Sequence, residues 1–112
     1  IGGGLYMAIK YKQEEILNLL LSAGANDWNC GLLACCKYGG DFKFFIKKGA
    51  VISREVVFTA CKHKNYYAVK YFCKVFDVNI IFSACCLYEY ESGWQLAQKL
   101  GGKCGRCTNH IK

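Results

Sequence analysis

Apolar and polar positions along this chain follow helical spacing. Leu17, Leu20 and Leu21 fall three and four apart, as do Val69, Phe72 and Cys73, so each set shares one face of a helix. Residues 5–13 and 14–21 read as a helix, a short polar break and a second helix, closed by Ser22-Ala23-Gly24-Ala25-Asn26. Residues 32–40 and 41–46 repeat that plan and stop at Lys47-Lys48-Gly49-Ala50. A third pair covers residues 57–65 and 66–79, with Phe76-Asp77 standing where Gly-Ala stood before. The fourth, residues 81–89 and 94–100, ends at Gly101-Gly102 and is the least faithful copy.

A small residue marks each copy: Ala8, Ala34, Ala60 and Ala84, at intervals of 26, 26 and 24 residues. A near-fixed period of this length is the mark of stacked helical repeats. Small side chains there let antiparallel helices approach closely, and Gly24 and Gly49 suit the left-handed backbone that follows a helix. A helix pair cannot bury its apolar face alone, so neighbours stack and expose an extended surface suited to another macromolecule.

The pattern resembles the ankyrin repeat, whose core runs Ala-Ala-x-x-Gly-His-x-x-x-Val-x-x-Leu-Leu-x-x-Gly-Ala. From Ala8 the spacing to Leu17, Leu20, Leu21, Gly24 and Ala25 follows that template, as does Ala60-Cys61 to Val69, Phe72 and Cys73. The chain departs from it in three ways. Gly39 to Gly49 is two residues short, the Thr-Pro-Leu-His opening is missing, and the sequence contains no proline. The period also falls below the roughly 33 residues of an ordinary ankyrin unit. The phrases at residues 6–12, 28–39 and 44–50 are similar to those of the ankyrin-like multigene-family proteins of African swine fever virus, over about residues 5 to 100. That resemblance implies an all-α fold, a stack of about four divergent ankyrin-like helix-turn-helix repeats forming a short α-solenoid. It also implies a viral protein that modulates host interferon and inflammatory signalling by binding a host protein, and transfers no catalytic residue.

At 112 residues the expected organisation is one repeat domain over residues 1–100 and a flexible, basic Gly/Cys-containing tail over 101–112. Apolar residues make up 54%, yet no run reaches the roughly 20 needed to cross a bilayer and none is flanked like a signal peptide. The expectation is a soluble, cytoplasmic protein of the infected host cell. The start at Ile1, followed by three glycines, reads as a cut N-terminus.

Nine cysteines could staple a secreted scaffold, but Cys35, Cys36, Cys61, Cys73, Cys85 and Cys86 fall within predicted helices, and three of them follow the marker alanine. Reduced thiols packed as small hydrophobes fit that placement better. The tail carries a C-x2-C-x2-H cluster, Cys104, Cys107 and His110. These are three zinc-type ligands, which Cys85 or Cys86 could complete. With no second C-x2-C pair and a glycine-rich setting, no metal is favoured and no cofactor is expected.

Charge is concentrated in the middle. Residues 37–74 hold nine basic residues against Asp41 and Glu55, so the net +7 of the whole chain is matched by this stretch alone. Lysines outnumber arginines thirteen to two, whereas bidentate phosphate and base contacts favour arginine. An acidic protein partner therefore ranks above nucleic acid. Phe42, Phe44, Phe45, Phe58, Phe72 and Phe82 read as core, while Tyr11, Tyr38, Tyr66, Tyr67, Tyr88 and Tyr90 gather at helix ends and breaks. The candidate partner-binding surface is Lys10, Tyr11, Lys12, Lys37, Tyr38, Lys62, His63, Lys64 and Tyr88, because exposed tyrosines carry binding energy at interfaces. Only His63 and His110 offer an imidazole, and no nucleophile elbow, metalloprotease helix or phosphate loop is present, so the chain reads as a non-enzyme that does not enter membranes. Self-association through an open apolar end is a further expectation. The alternative function is a zinc-stabilised nucleic-acid-binding module built from the basic middle and the Cys/His tail.

Overall fold

A computed structural model of the chain describes residues 2–102. Among them it forms eight helices and no strand: α1 (Gly2–Lys10), α2 (Glu14–Ser22), α3 (Trp28–Tyr38), α4 (Phe42–Lys48), α5 (Arg54–Lys62), α6 (Tyr66–Val75), α7 (Val78–Leu87) and α8 (Glu91–Lys99). The fold is all-α, and the helices come in pairs at the breaks expected from sequence. They fall into two compact units, Ile1–Val51 with α1 to α4 and Ile52–Lys112 with α5 to α8.

Six helices end alike. One residue turns left-handed after the helix, and the next amide reaches back five residues to a helix carbonyl. The left-handed residues are Lys12, Gly24, Gly49, Lys64, Glu89 and Gly101, with φ between 53° and 120°. The amides of Gln13, Ala25, Ala50, Asn65, Tyr90 and Gly102 then donate to Ala8, Leu20, Phe45, Ala60, Cys85 and Ala97 over 2.8–2.9 Å. The bonds satisfy carbonyls that a helix end otherwise leaves open. Gly24 and Gly49 do this without a Cβ clash; Lys12, Lys64 and Glu89 do it against one. The break after α3 is the exception among the first helices of each pair. Gly39 lies at φ 90°, ψ 163°, Gly40 at φ 133°, and no such back-reaching amide follows.

Four helix starts carry side-chain caps. Asp41, Ser53, Asn65 and Asp77 accept from the amides of Phe44, Val56, Ala68 and Asn79 at 3.2, 3.3, 3.2 and 2.9 Å. Asp77 explains the third interval of the repeat. Only Phe76 and Asp77 separate α6 from α7, Phe76 is extended at φ −130° and ψ 171°, and the glycine stop is not needed.

Ala8, Ala34, Ala60 and Ala84 lie on α1, α3, α5 and α7 and are almost wholly buried. Close packing joins α1 to α3 in the first unit and α5 to α7 in the second. The residue after each alanine, Ile9, Cys35, Cys61 or Cys85, is buried as well. None of the seven described cysteines is joined in a disulfide. Burial pushes Cys35 and Cys36 up to about 12 and Cys73 to about 11. Cys85 is raised first by its hydrogen bond to Cys61, 3.5 Å between sulfurs, and then by burial. These thiols stay protonated and serve as apolar filling.

One expected buried face is not buried. In the second unit Ala68, Val69 and Phe72 of α6 are buried, and α6 packs on α5, α7 and α8. In the first unit no residue of α2 is buried; Leu17, Leu20 and Leu21 are half-exposed and Leu19 is 69% exposed. The reason is the truncation of α4 to seven residues, which removes the wall that α8 supplies to α6. Close packing of α2 is confined to α1.

Two substitutions test this local account. A Cβ on Gly31 would overlap the Phe45 ring, so Gly31→Ala should cost about 1–3 kcal/mol as an overpacked core change. Lys64→Gly relieves a left-handed lysine and should gain up to about 1 kcal/mol after the added unfolded-state entropy. Chemical denaturation midpoints report both, and destabilisation by Lys64→Gly would contradict the left-handed turn.

Candidate interaction surface

The surface in the first unit is assembled by α1 meeting α3. Tyr6 and Lys10 stand four apart and so lie on one face of α1. Lys37 and Tyr38 close α3. The Tyr6 and Tyr38 rings meet edge to face, 5.7 Å between centroids at 83°, and the Tyr6 hydroxyl donates to the Tyr38 hydroxyl at 3.3 Å. Lys37 Nζ lies 5.4 Å from the Tyr38 centroid and 6.0 Å from that of Tyr6. Lys10 Nζ lies 5.3 Å from the Tyr11 centroid and 5.9 Å from that of Tyr38. Lys12 donates to the Tyr38 carbonyl at 3.5 Å. Five of the nine expected residues, Lys10, Tyr11, Lys12, Lys37 and Tyr38, therefore converge around Tyr6.

Electrostatics follow from this geometry. Tyr38 is held below the ordinary phenol range, first by the hydrogen bond from Tyr6, which desolvation opposes, and then by the hydrogen bond to Lys37 and the charges of Lys10 and Lys37. Lys37 is raised by side-chain hydrogen bonding to Tyr6 and Tyr38. No carboxylate contributes to either shift. The lysine charges here are set against ring faces and phenol oxygens, an arrangement suited to an incoming anion.

The second unit repeats the arrangement with fewer charges. Phe58 and Lys62 of α5 take the places of Tyr6 and Lys10, and Tyr88, just after α7, takes that of Tyr38. The Phe58 and Tyr88 rings meet at 6.4 Å and 86°. They sit in a shallow depression of about 460 Å³ with Arg54, Glu55, Thr59 and Lys62. Exposed Leu87 replaces Lys37. Lys62 and Tyr88 are thus brought together. His63, the C-cap of α5, and left-handed Lys64 are exposed in the break before α6 and do not line the depression.

Tyr6 and Phe58 were missed by sequence reasoning, which took Phe58 for core. A longer period pairs their ring partners, Tyr38 and Tyr88. Residues 27–38 recur fifty positions later as residues 77–88, sharing Asp, Asn, Ala, Cys, Cys and Tyr in register. Two further expectations are corrected. Tyr90 is buried at the start of α8, and burial, with Cys85 nearby, pushes its hydroxyl up to about 12. Phe44 is half-exposed rather than core. Cys104, Cys107 and His110 lie outside the described residues, and Cys85 and Cys86 are buried. Among the described residues no helix is long and apolar enough to cross a membrane.

Comparison of the chain with protein-family models, with curated proteins and with solved structures finds no match in any of the three.

Tyr6→Phe removes the hydroxyl that favours the Tyr38 phenolate, so Tyr38 should titrate at higher pH than in the parent protein. Ring-carbon NMR of labelled tyrosine reads this directly. An unmoved Tyr38 would place its perturbation elsewhere.

Proposed function

We propose that this chain is a non-enzymatic protein-interaction module that presents lysine–tyrosine surfaces, one on each unit, to an acidic protein partner. The observation that carries the reading is the convergence of Lys10, Lys12 and Lys37 on Tyr6, Tyr11 and Tyr38 with no carboxylate among the causes of the shifts there. Rigid aromatic faces supply contact area at low entropy, and lysines steer an acidic surface to them.

An ankyrin-like stack is the architecture that suits such a module. The paired helices support it, as do the marker alanines and the left-handed Lys12 and Lys64, which stand where the ankyrin template has its inter-helix glycine. By the resemblance to the African swine fever virus family, the partner is a host protein of innate immune signalling, and the mechanism is occlusion of its surface. A catalytic reading is disfavoured because the perturbed thiols are all pushed upward, away from nucleophilic thiolate.

Fluorescence anisotropy with a labelled Glu-rich peptide and a labelled single-stranded DNA of equal charge separates the two macromolecular classes. The peptide should bind and the Lys10→Ala/Lys37→Ala variant should bind it at least about fivefold more weakly. Preferential DNA binding with a steep loss of affinity in salt would overturn the protein-partner reading in favour of the nucleic-acid module.

A further inference from the structure

In the first unit a cleft stands where the second unit has a helix contact. α6 packs on α8, whereas α2 and α4 are separated by a cleft of about 370 Å³. Its apolar lining comes from Ile9 of α1, Leu17 and Leu21 of α2, and Phe44 and Phe45 of α4. Gly39 and Gly40, the irregular break after α3, form part of its wall. The cleft is large enough for an aromatic or leucine side chain, and its lining leaves Leu17, Leu21 and Phe44 half-exposed.

The cleft is continuous with the lysine–tyrosine surface through one residue. Lys12 lines the cleft and also reaches the Tyr38 carbonyl at 3.5 Å, while Tyr38 lies beneath Lys10 and Lys37. The remaining rim is acidic, with Glu14 and Asp41, and Asp41 is already engaged in capping α4 through the Phe44 amide. The rim thus carries both signs, and Lys48 Nζ lies 5.7 Å from the centroid of the Phe44 ring that lines the cleft.

We infer that the α2–α4 cleft receives one large apolar side chain of a partner peptide whose neighbouring carboxylates meet Lys10, Lys12 and Lys37. The inference rests on the acidic-partner reading above and adds the apolar anchor. Charge complementarity selects this occupant over a purely apolar one, because carboxylates beside the anchor are drawn to the lysines around Tyr38.

The test uses the full chain and short fluorescein-labelled peptides with a single Trp preceded or followed by a run of Glu. Counterparts replace Trp with Ser or Glu with Gln. The Trp peptides should bind at least about tenfold tighter than their Ser counterparts and should shift the methyl resonances of Leu17 and Leu21. Asn18→Trp, made at an exposed residue that lines the cleft, should abolish the preference for Trp over Ser while leaving the Ser peptide's affinity unchanged. Equal binding of the Trp and Ser peptides, with Leu17 and Leu21 unmoved, would overturn the cleft inference and leave the acidic-partner reading standing. Equal binding of the Gln and Glu peptides would overturn the paired recognition, and failure of every acidic peptide would overturn both.

Discussion

The left-handed residue that closes the first helix of a pair is the constraint on which the rest depends. It reverses the chain within three residues, which places the second helix against the first and sets the spacing at which the next pair begins. In α1, α5 and α7 that residue is Lys12, Lys64 or Glu89, and the following amide locks the reversal to a helix carbonyl. After α3 the same task falls to Gly39 and Gly40, in a different conformation. That one altered break coincides with the shortest helix, the only second helix with no buried residue among α2, α4, α6 and α8, and the apolar cleft. The asymmetry between the two units is thus local in origin.

Using lysine where glycine would be unstrained costs stability, since a left-handed L-residue is disfavoured by about 1–2 kcal/mol. Of the two left-handed lysines, Lys12 joins the cluster around Tyr38, whereas Lys64 stands outside the depression of the second unit. Local rules broken without structural return tend to mark sites under another demand. Lys12 shows what that demand is: from the left-handed position its side chain both borders the cleft and reaches Tyr38. Against this the core is conservative, with alanine and protonated thiol filling the close helix contacts.

Much of this was legible in the sequence. The alanine interval located the first helices, Gly24 and Gly49 marked real left-handed stops, and the shortfall between Gly39 and Gly49 fell on α4 as a truncated helix. Five of the nine proposed surface residues met in one cluster because helix ends and breaks are set by short-range signals. What escaped depended on partners far along the chain. Leu17, Leu20 and Leu21 have the spacing of a buried stripe, but burial needs an opposing helix that α4 is too short to be. Tyr6 looked like one more helical apolar residue until α1 packing on α3 brought Tyr38 to it. Tyr88 and Tyr90 are two residues apart, yet one faces outward beside Phe58 and the other turns into the core as α8 begins.

The second unit seats its second helices against one another and the first does not. Amide hydrogen exchange resolved by residue reads this difference. Exchange should be slow through α6, at Val69, Phe72 and their neighbours, and faster by orders of magnitude through α2 from Leu17 to Leu21. Equal protection of α2 and α6 would contradict it, because α2 would then be packed and the cleft beside it closed.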